Sequence, residues 1–131
     1  MFTIEQIKSA HSKVKSGADF PNYIQDIIKL GVSSYETFVS DGHTEYFGEN
    51  NFHVSSDKKY DTLAIEKNSS AAQFINGLKE HQQGKTDYLT FCNLCANTGV
   101  YKWIVNMDKM TCSYYNQSGR VLLVEQIPQP K

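Results

Sequence analysis

Four groups of residues in this chain have types and spacings that can do chemistry. Cys92 and Cys95 form a Cys-x-x-Cys, the spacing of a redox dithiol or of half a zinc site. A redox pair needs its first cysteine near a helix N-terminus, where the helix dipole stabilises thiolate; a zinc site needs a second ligand pair. His43 follows Asp41-Gly42 and precedes Glu45, and a carboxylate within reach can orient an imidazole and favour its protonated form. Glu66 and Glu125 close the apolar runs Leu63-Ala64-Ile65 and Leu122-Leu123-Val124; a pair of equivalent carboxylates can do acid–base work when burial separates their pKa values. Tyr46, Phe47, Trp103, Tyr114 and Tyr115 lie in stretches of strand character, where rings can stack on a ligand or a base. Each group also has a plainer reading: core thiols, a surface-turn imidazole, solvated strand ends and packed rings.

The elements that must position these residues can be read from the hydrophobic period. Ile4, Ile7 and Val14 mark one face of a first helix, with Thr3 and Gln6 as a capping box and His11 on the apolar side, half-buried. A second helix follows Asp19 as N-cap, with Pro21 in its first turn, Tyr23, Ile24, Ile27 and Ile28 inward and Gly31 as C-cap. A third helix spans 70–81 and a fourth runs from Asp87 to Gly99. Strands are expected at 34–39 and 43–47 around the Asp41-Gly42 turn, and at 101–107 and 111–115 around Asp108-Lys109. Two further strands are expected at 62–66 and 120–125, with 48–61 a polar loop that holds His53.

Laying the chain on itself at an offset of 68 aligns Asp19 with Asp87, Tyr23 with Phe91, Gly31-Val32 with Gly99-Val100, Tyr35 with Trp103, and Tyr46-Phe47 with Tyr114-Tyr115. Beyond Phe47 the match resumes at an offset of 59, Leu63-Ala64-Ile65-Glu66 on Leu122-Leu123-Val124-Glu125. The fold class expected is therefore α+β: one domain, 1–131, of two similar ααβββ units, 1–68 and 69–131, with helices packed on mainly antiparallel sheet. The repeat also tests the Cys-x-x-Cys. Cys92 falls on Ile24 and Cys95 on Ile27, so both thiols read as small hydrophobes, and no metal site is assigned.

The 13 Lys and Arg against 14 Asp and Glu give a net charge of −1, which argues against a nucleic-acid or anionic-lipid partner held by bulk charge. The halves differ: residues 1–68 hold 7 basic and 10 acidic side chains, and 69–131 hold 6 and 4. No apolar run approaches the ~20 residues of a membrane span, residues 1–6 show no secretory pattern, and three cysteines fit reduced thiols. A cytoplasmic location is expected.

The run Ser16-Gly17-Ala18-Asp19-Phe20-Pro21, then Leu30-Gly31-Val32, Asp87-Tyr88, Thr90-Phe91-Cys92, Gly99-Val100, Lys102-Trp103 and Met110-Thr111-Cys112 resembles the YbcV-like family. These are short bacterial proteins of unknown function, some labelled phage envelope proteins and some encoded in prophage regions. The resemblance covers essentially the whole chain and implies a prophage origin, but it carries no catalytic residues. Nothing in the sequence is secreted, membrane-spanning or fibrous, as an envelope role would require. The function expected is a non-enzymatic cytoplasmic binding or regulatory module for a protein or small-molecule ligand, without cofactor, with a homodimer as the oligomer allowed for. The alternative is a small enzyme with its active site in a cleft between the units. The candidate ligand-binding residues are His43, Tyr46, Glu66, Trp103, Tyr114 and Glu125.

Overall fold

The computed structural model describes residues 2–14 and 19–128; the Ser16-Gly17-Ala18 part of the family motif and the tail beyond Pro128 lie outside the described residues. Helix α1, Ile4–His11, starts from the expected capping box, in which Thr3 and Gln6 satisfy each other's backbone N–H groups. Helix α2, Phe20–Leu30, buries Tyr23, Ile24 and Ile27 and ends at Gly31 in the left-handed region. Helices α3, Ala71–Gln82, and α4, Tyr88–Asn97, are capped by the side chains of Ser70 and Asp87, which accept from the backbone N–H groups of Gln73 and Thr90. Asp19 differs from Asp87: its backbone is already helical and its side chain makes no cap bond to α2.

The strands are β1 (Ser34–Phe38), β2 (Thr44–Phe47), β3 (His53–Ser55), β4 (Lys102–Asn106), β5 (Thr111–Tyr115) and β6 (Val121–Gln126). They form one antiparallel sheet in the order β3-β2-β1-β4-β5-β6. The two hairpins share a register: Tyr35 faces Tyr46 in one, and Trp103 faces Tyr114 in the other, both members 68 residues on. They meet along β1 and β4, where Glu36 lies opposite Ile104 at the middle of the ladder.

Period-2 alternation gives the sheet two unlike faces. Tyr35, Thr37, Thr44, Tyr46, Trp103, Val105, Cys112 and Tyr114 are buried, in a core that also takes side chains from all four helices. Phe74 of α3 packs on Tyr114 with ring centroids 4.8 Å apart, and Phe91 of α4 packs on Trp103 at 5.7 Å. The intervening residues, among them Glu36, Phe38, Glu45, Phe47, Lys102 and Tyr115, are only half-buried and make up an open face.

The sequence pattern placed the third strand of the first half wrongly. Residues 62–66 are irregular, and the strand is His53–Ser55, inside the stretch expected to be loop. The 62–66 segment alternates apolar and polar residues because Leu63 and Ile65 pack against the core. Its backbone, however, reaches two unrelated neighbours, Leu63 N–H bonding Ser40 C=O at 2.7 Å and Glu66 N–H bonding Ala96 C=O at 2.8 Å, and joins no ladder. His11 is exposed as a residue, yet its ring packs on the buried Tyr23 and burial lowers its pKa. His11 is i+4 from the buried Ile7 and so lies on the same side of α1, where its ring meets the edge of Tyr23.

Candidate functional site

The corner of the open face where β1, β2 and β3 meet holds a chain of titratable side chains. Gly42 takes a positive φ of 77° in the turn, which brings His43 back over its own neighbours. The His43 backbone N–H and Nδ1 both lie on Asp41 Oδ1, at 3.0 and 2.5 Å. On the other side of the ring, Nε2 lies 3.1 Å from Glu45 Oε2. The second oxygen of Glu45 contacts His53 Nε2 and accepts a hydrogen bond from Ser55 Oγ at 2.8 Å. The result is one continuous run, Asp41–His43–Glu45–His53, with Ser55 at its end.

Strand geometry explains each placement. His43 and Glu45 are two residues apart and so share a face; Glu45 lies opposite Ser55, and Phe47 opposite His53. Both imidazoles lie flat on strand rings, His43 on Phe38 (4.7 Å, 8° between planes) and His53 on Phe47 (5.1 Å, 22°). Glu36 and Glu45 face each other across β1 and β2, an opposition that destabilises a sheet unless it is neutralised. Lys102 takes Glu36 at 3.0 Å while also standing over the Phe38 and Tyr115 rings, and the two imidazoles take Glu45.

Desolvation pushes the Asp41 and Glu45 carboxyls upward. The hydrogen bonds from His43 to Asp41, and from Ser55 and His53 to Glu45, outweigh it and hold both below their ordinary values of 3.8 and 4.5. A carboxyl whose folded pKa is depressed stabilises the fold fully above its unfolded value and loses that contribution as pH falls through the folded one. Urea unfolding followed through this range should therefore show stability falling as pH drops below about 4. Asp41→Asn should flatten that dependence without changing the neutral-pH fold, and an unchanged acid slope would remove Asp41 from the account.

The other sequence candidates lie elsewhere. Tyr46, Trp103 and Tyr114 are on the buried face, 8%, 8% and 6% exposed. Glu125, on β6, accepts from Gln82 Nε2 at 3.1 and 3.2 Å and from Tyr114 O–H at 3.5 Å, tying α3 to the sheet. Glu66 is exposed in the irregular 62–66 segment, where it accepts from the nearby Asn68 N–H at 3.4 Å. These two carboxylates are not counterparts: Cys112 pairs with Glu125 in one half, whereas Thr44 bonds Ser56 in the other. Of the six candidates, only His43 joins the open-face cluster. Glu45 was legible as a neighbour of His43, but His53 and Ser55 were missed because their union with it depends on β3.

The three thiols are buried in the core. Cys92 and Cys95 sit in the middle of α4, not at its N-terminus, and burial pushes both thiols up, Cys95 well up, while Cys112 is pushed up to about 12. Thiolate chemistry is disfavoured at all three. Among the described residues no group of three or more His, Cys, Asp or Glu side chains is arranged to hold a metal ion, and no helix is long and apolar enough to cross a membrane. Two open depressions, of about 290 and 300 Å³, are lined by Gln6, Ala10, Lys13 and Asp26 and by Lys8, Ser56 and Lys59; neither includes a residue of the imidazole–carboxylate run.

Residues 8–126 match a family described as "Protein of unknown function (DUF1398)". No curated protein matches the chain.

Proposed function

We propose that this chain, which belongs to the DUF1398 family, is a non-enzymatic binding module whose ligand surface is the open face of the sheet, and that it recognises basic side chains of a protein partner. The observation that carries the reading is the run Asp41–His43–Glu45–His53, set beside the Phe38 and Phe47 rings on a face the core does not need. Carboxylates flanked by aromatic faces suit a guanidinium or ammonium group, and Lys102, gripped by Glu36 between two rings, is an internal example of the same recognition. The acidic excess of residues 1–68 favours the same class of partner.

Hydrogen-bond geometry ties the run together. Only an imidazolium donates from both ring nitrogens, so the contacts of His43 to Asp41 and Glu45 are both hydrogen bonds only while that ring holds its second proton. The equal hairpin registers support, in addition, an origin by duplication of one ααβββ unit. The buried reduced thiols suit a cytoplasmic setting.

The test is an NMR titration with a short arginine peptide at neutral pH. Amide shifts should concentrate at Phe38, His43, Glu45, Phe47 and His53. Shifts confined to other surfaces, or an equal response to an aspartate peptide, would remove the proposal.

A further inference from the structure

The two edges of the sheet are unequal. β3 is three residues long, is preceded by Asn50 and Asn51 with φ of 58° and 63°, and is followed at once by Ser56, which is tied back to Thr44. That edge is blunted in the ways protein sheets protect themselves. β6 is six residues, Val121–Gln126, the longest strand of the sheet, and among the described residues it pairs on one side only, with β5. It carries no proline or lysine, and two of its residues, Val121 at 46% and Val124 at 51%, are among the exposed large hydrophobic residues of the described chain. Ile127 N–H bonds Met110 C=O at 2.8 Å, in line with the register that pairs Cys112 with Glu125. Alternation then turns the amides of residues 127, 125 and 123 toward β5 and those of Val124 and Gln126 toward the free edge.

We propose that β6 is a dimerisation edge, pairing antiparallel with β6 of a second copy of this chain to extend the sheet from six strands to twelve. The occupant follows from self-complementarity. A two-fold axis at Val124 places Val124 opposite itself, Leu122 opposite Gln126 and Leu123 opposite Glu125. Outward-facing amides meet outward-facing carbonyls, and the one charge of the strand faces an apolar side chain, so no like charges are opposed. Pairing β6 to β3 of another copy would propagate head to tail, and the three residues of β3 offer too short a ladder for it. The interface is isologous and closes at two chains.

Sedimentation equilibrium across a concentration series tests this, with hydrogen exchange on the same samples. The wild-type chain should pass from one chain to two as concentration rises, and the Val124 and Gln126 amides should gain protection over the same range. Val124→Pro removes an N–H that β5 does not use, so it should abolish the dimer while leaving the monomer folded by circular dichroism. Val124→Lys sets like charges on the two-fold axis at an exposed position and should likewise abolish the dimer; it decides the matter if the proline variant does not fold. A wild-type chain that stays single at every concentration overturns the proposal. So does a dimer that persists in folded Val124→Lys, or one in which the Val124 and Gln126 amides stay unprotected.

Discussion

Gly99→Ala is expected to lower the unfolding free energy by roughly 2–4 kcal/mol, from left-handed strain of about 1–2 kcal/mol and about 1 kcal/mol for each backbone hydrogen bond disturbed. Gly99 takes a φ of 88° just after α4. A Cβ there would stand 2.7 Å from Ser69 Cα, 2.8 Å from Ser69 Cβ and 3.2 Å from the Glu66 carbonyl oxygen. The obstruction is largely backbone, and that backbone is pinned: Glu66 N–H bonds Ala96 C=O at 2.8 Å and Ser70 N–H bonds Thr98 C=O at 2.9 Å. Relieving the clash must stretch one or both of these bonds. Gly31, at the matching position after α2, separates the two effects. Its φ is 108°, but a Cβ there meets only Phe2 Cδ2 at 3.7 Å, an ordinary contact, so Gly31→Ala should show conformational strain alone. Urea unfolding of the two variants checks the difference; equal losses would mean that the 66–70 crossing is not what Gly99 serves.

That crossing marks where the sequence stopped being a sufficient guide. Caps and stripes are local, and they were legible: Thr3 with Gln6, Pro21, Gly31, Ser70 and Asp87 all sit where their chemistry places them. The hairpins were legible because Asp41-Gly42 and the alternating runs around it act within ten residues. The third strand of the first half was not. His53-Val54-Ser55 offers one apolar residue and owes its extended form to β2 alongside it, while Leu63 and Ile65 alternate like a strand only because each reaches the core from an irregular segment. Strand character at a sheet edge comes from the neighbour, and a single-chain pattern does not display the neighbour.

The same reason divides the candidate site. His43 could be paired with Asp41 and Glu45 from spacing alone, since residues two apart in a strand share a face, and both contacts are present. His53 belongs to the same run, but it lies eight positions beyond Glu45, past a 3-10 turn at Glu49–Asn51. Equating Glu66 with Glu125 failed from the opposite cause. Four similar residues aligned at an offset of 59, yet the ladders put Ser56, not Glu66, in the matching place. Equivalence between strands is fixed by hydrogen-bond register, and similarity of side chains is a weaker guide to it.

Phe74→Ala is expected to cost about 3–5 kcal/mol, the range for removing a large buried aromatic side chain from a close-packed core. Phe74 has no exposed surface. Its ring lies 4.8 Å from Tyr114 and 6.2 Å from Phe91, so it joins α3 to both β5 and α4, and Phe91 in turn reaches Trp103. Truncation removes the transfer free energy of the ring and leaves a void lined by aromatic groups that cannot follow it, because Trp103 and Tyr114 are opposed across β4 and β5. Phe38→Ala is the control: Phe38 is half-buried on the open face and stacks on His43 rather than filling the core, so its removal should cost well under half as much. Chemical denaturation of both variants, with the near-ultraviolet signal of Trp103 as a second probe, measures the contrast. A Phe74→Ala loss no larger than that of Phe38→Ala would show that α3 is not seated on β5 through this ring, and the core between that helix and the second hairpin would have to be held by Leu78 and its neighbours instead.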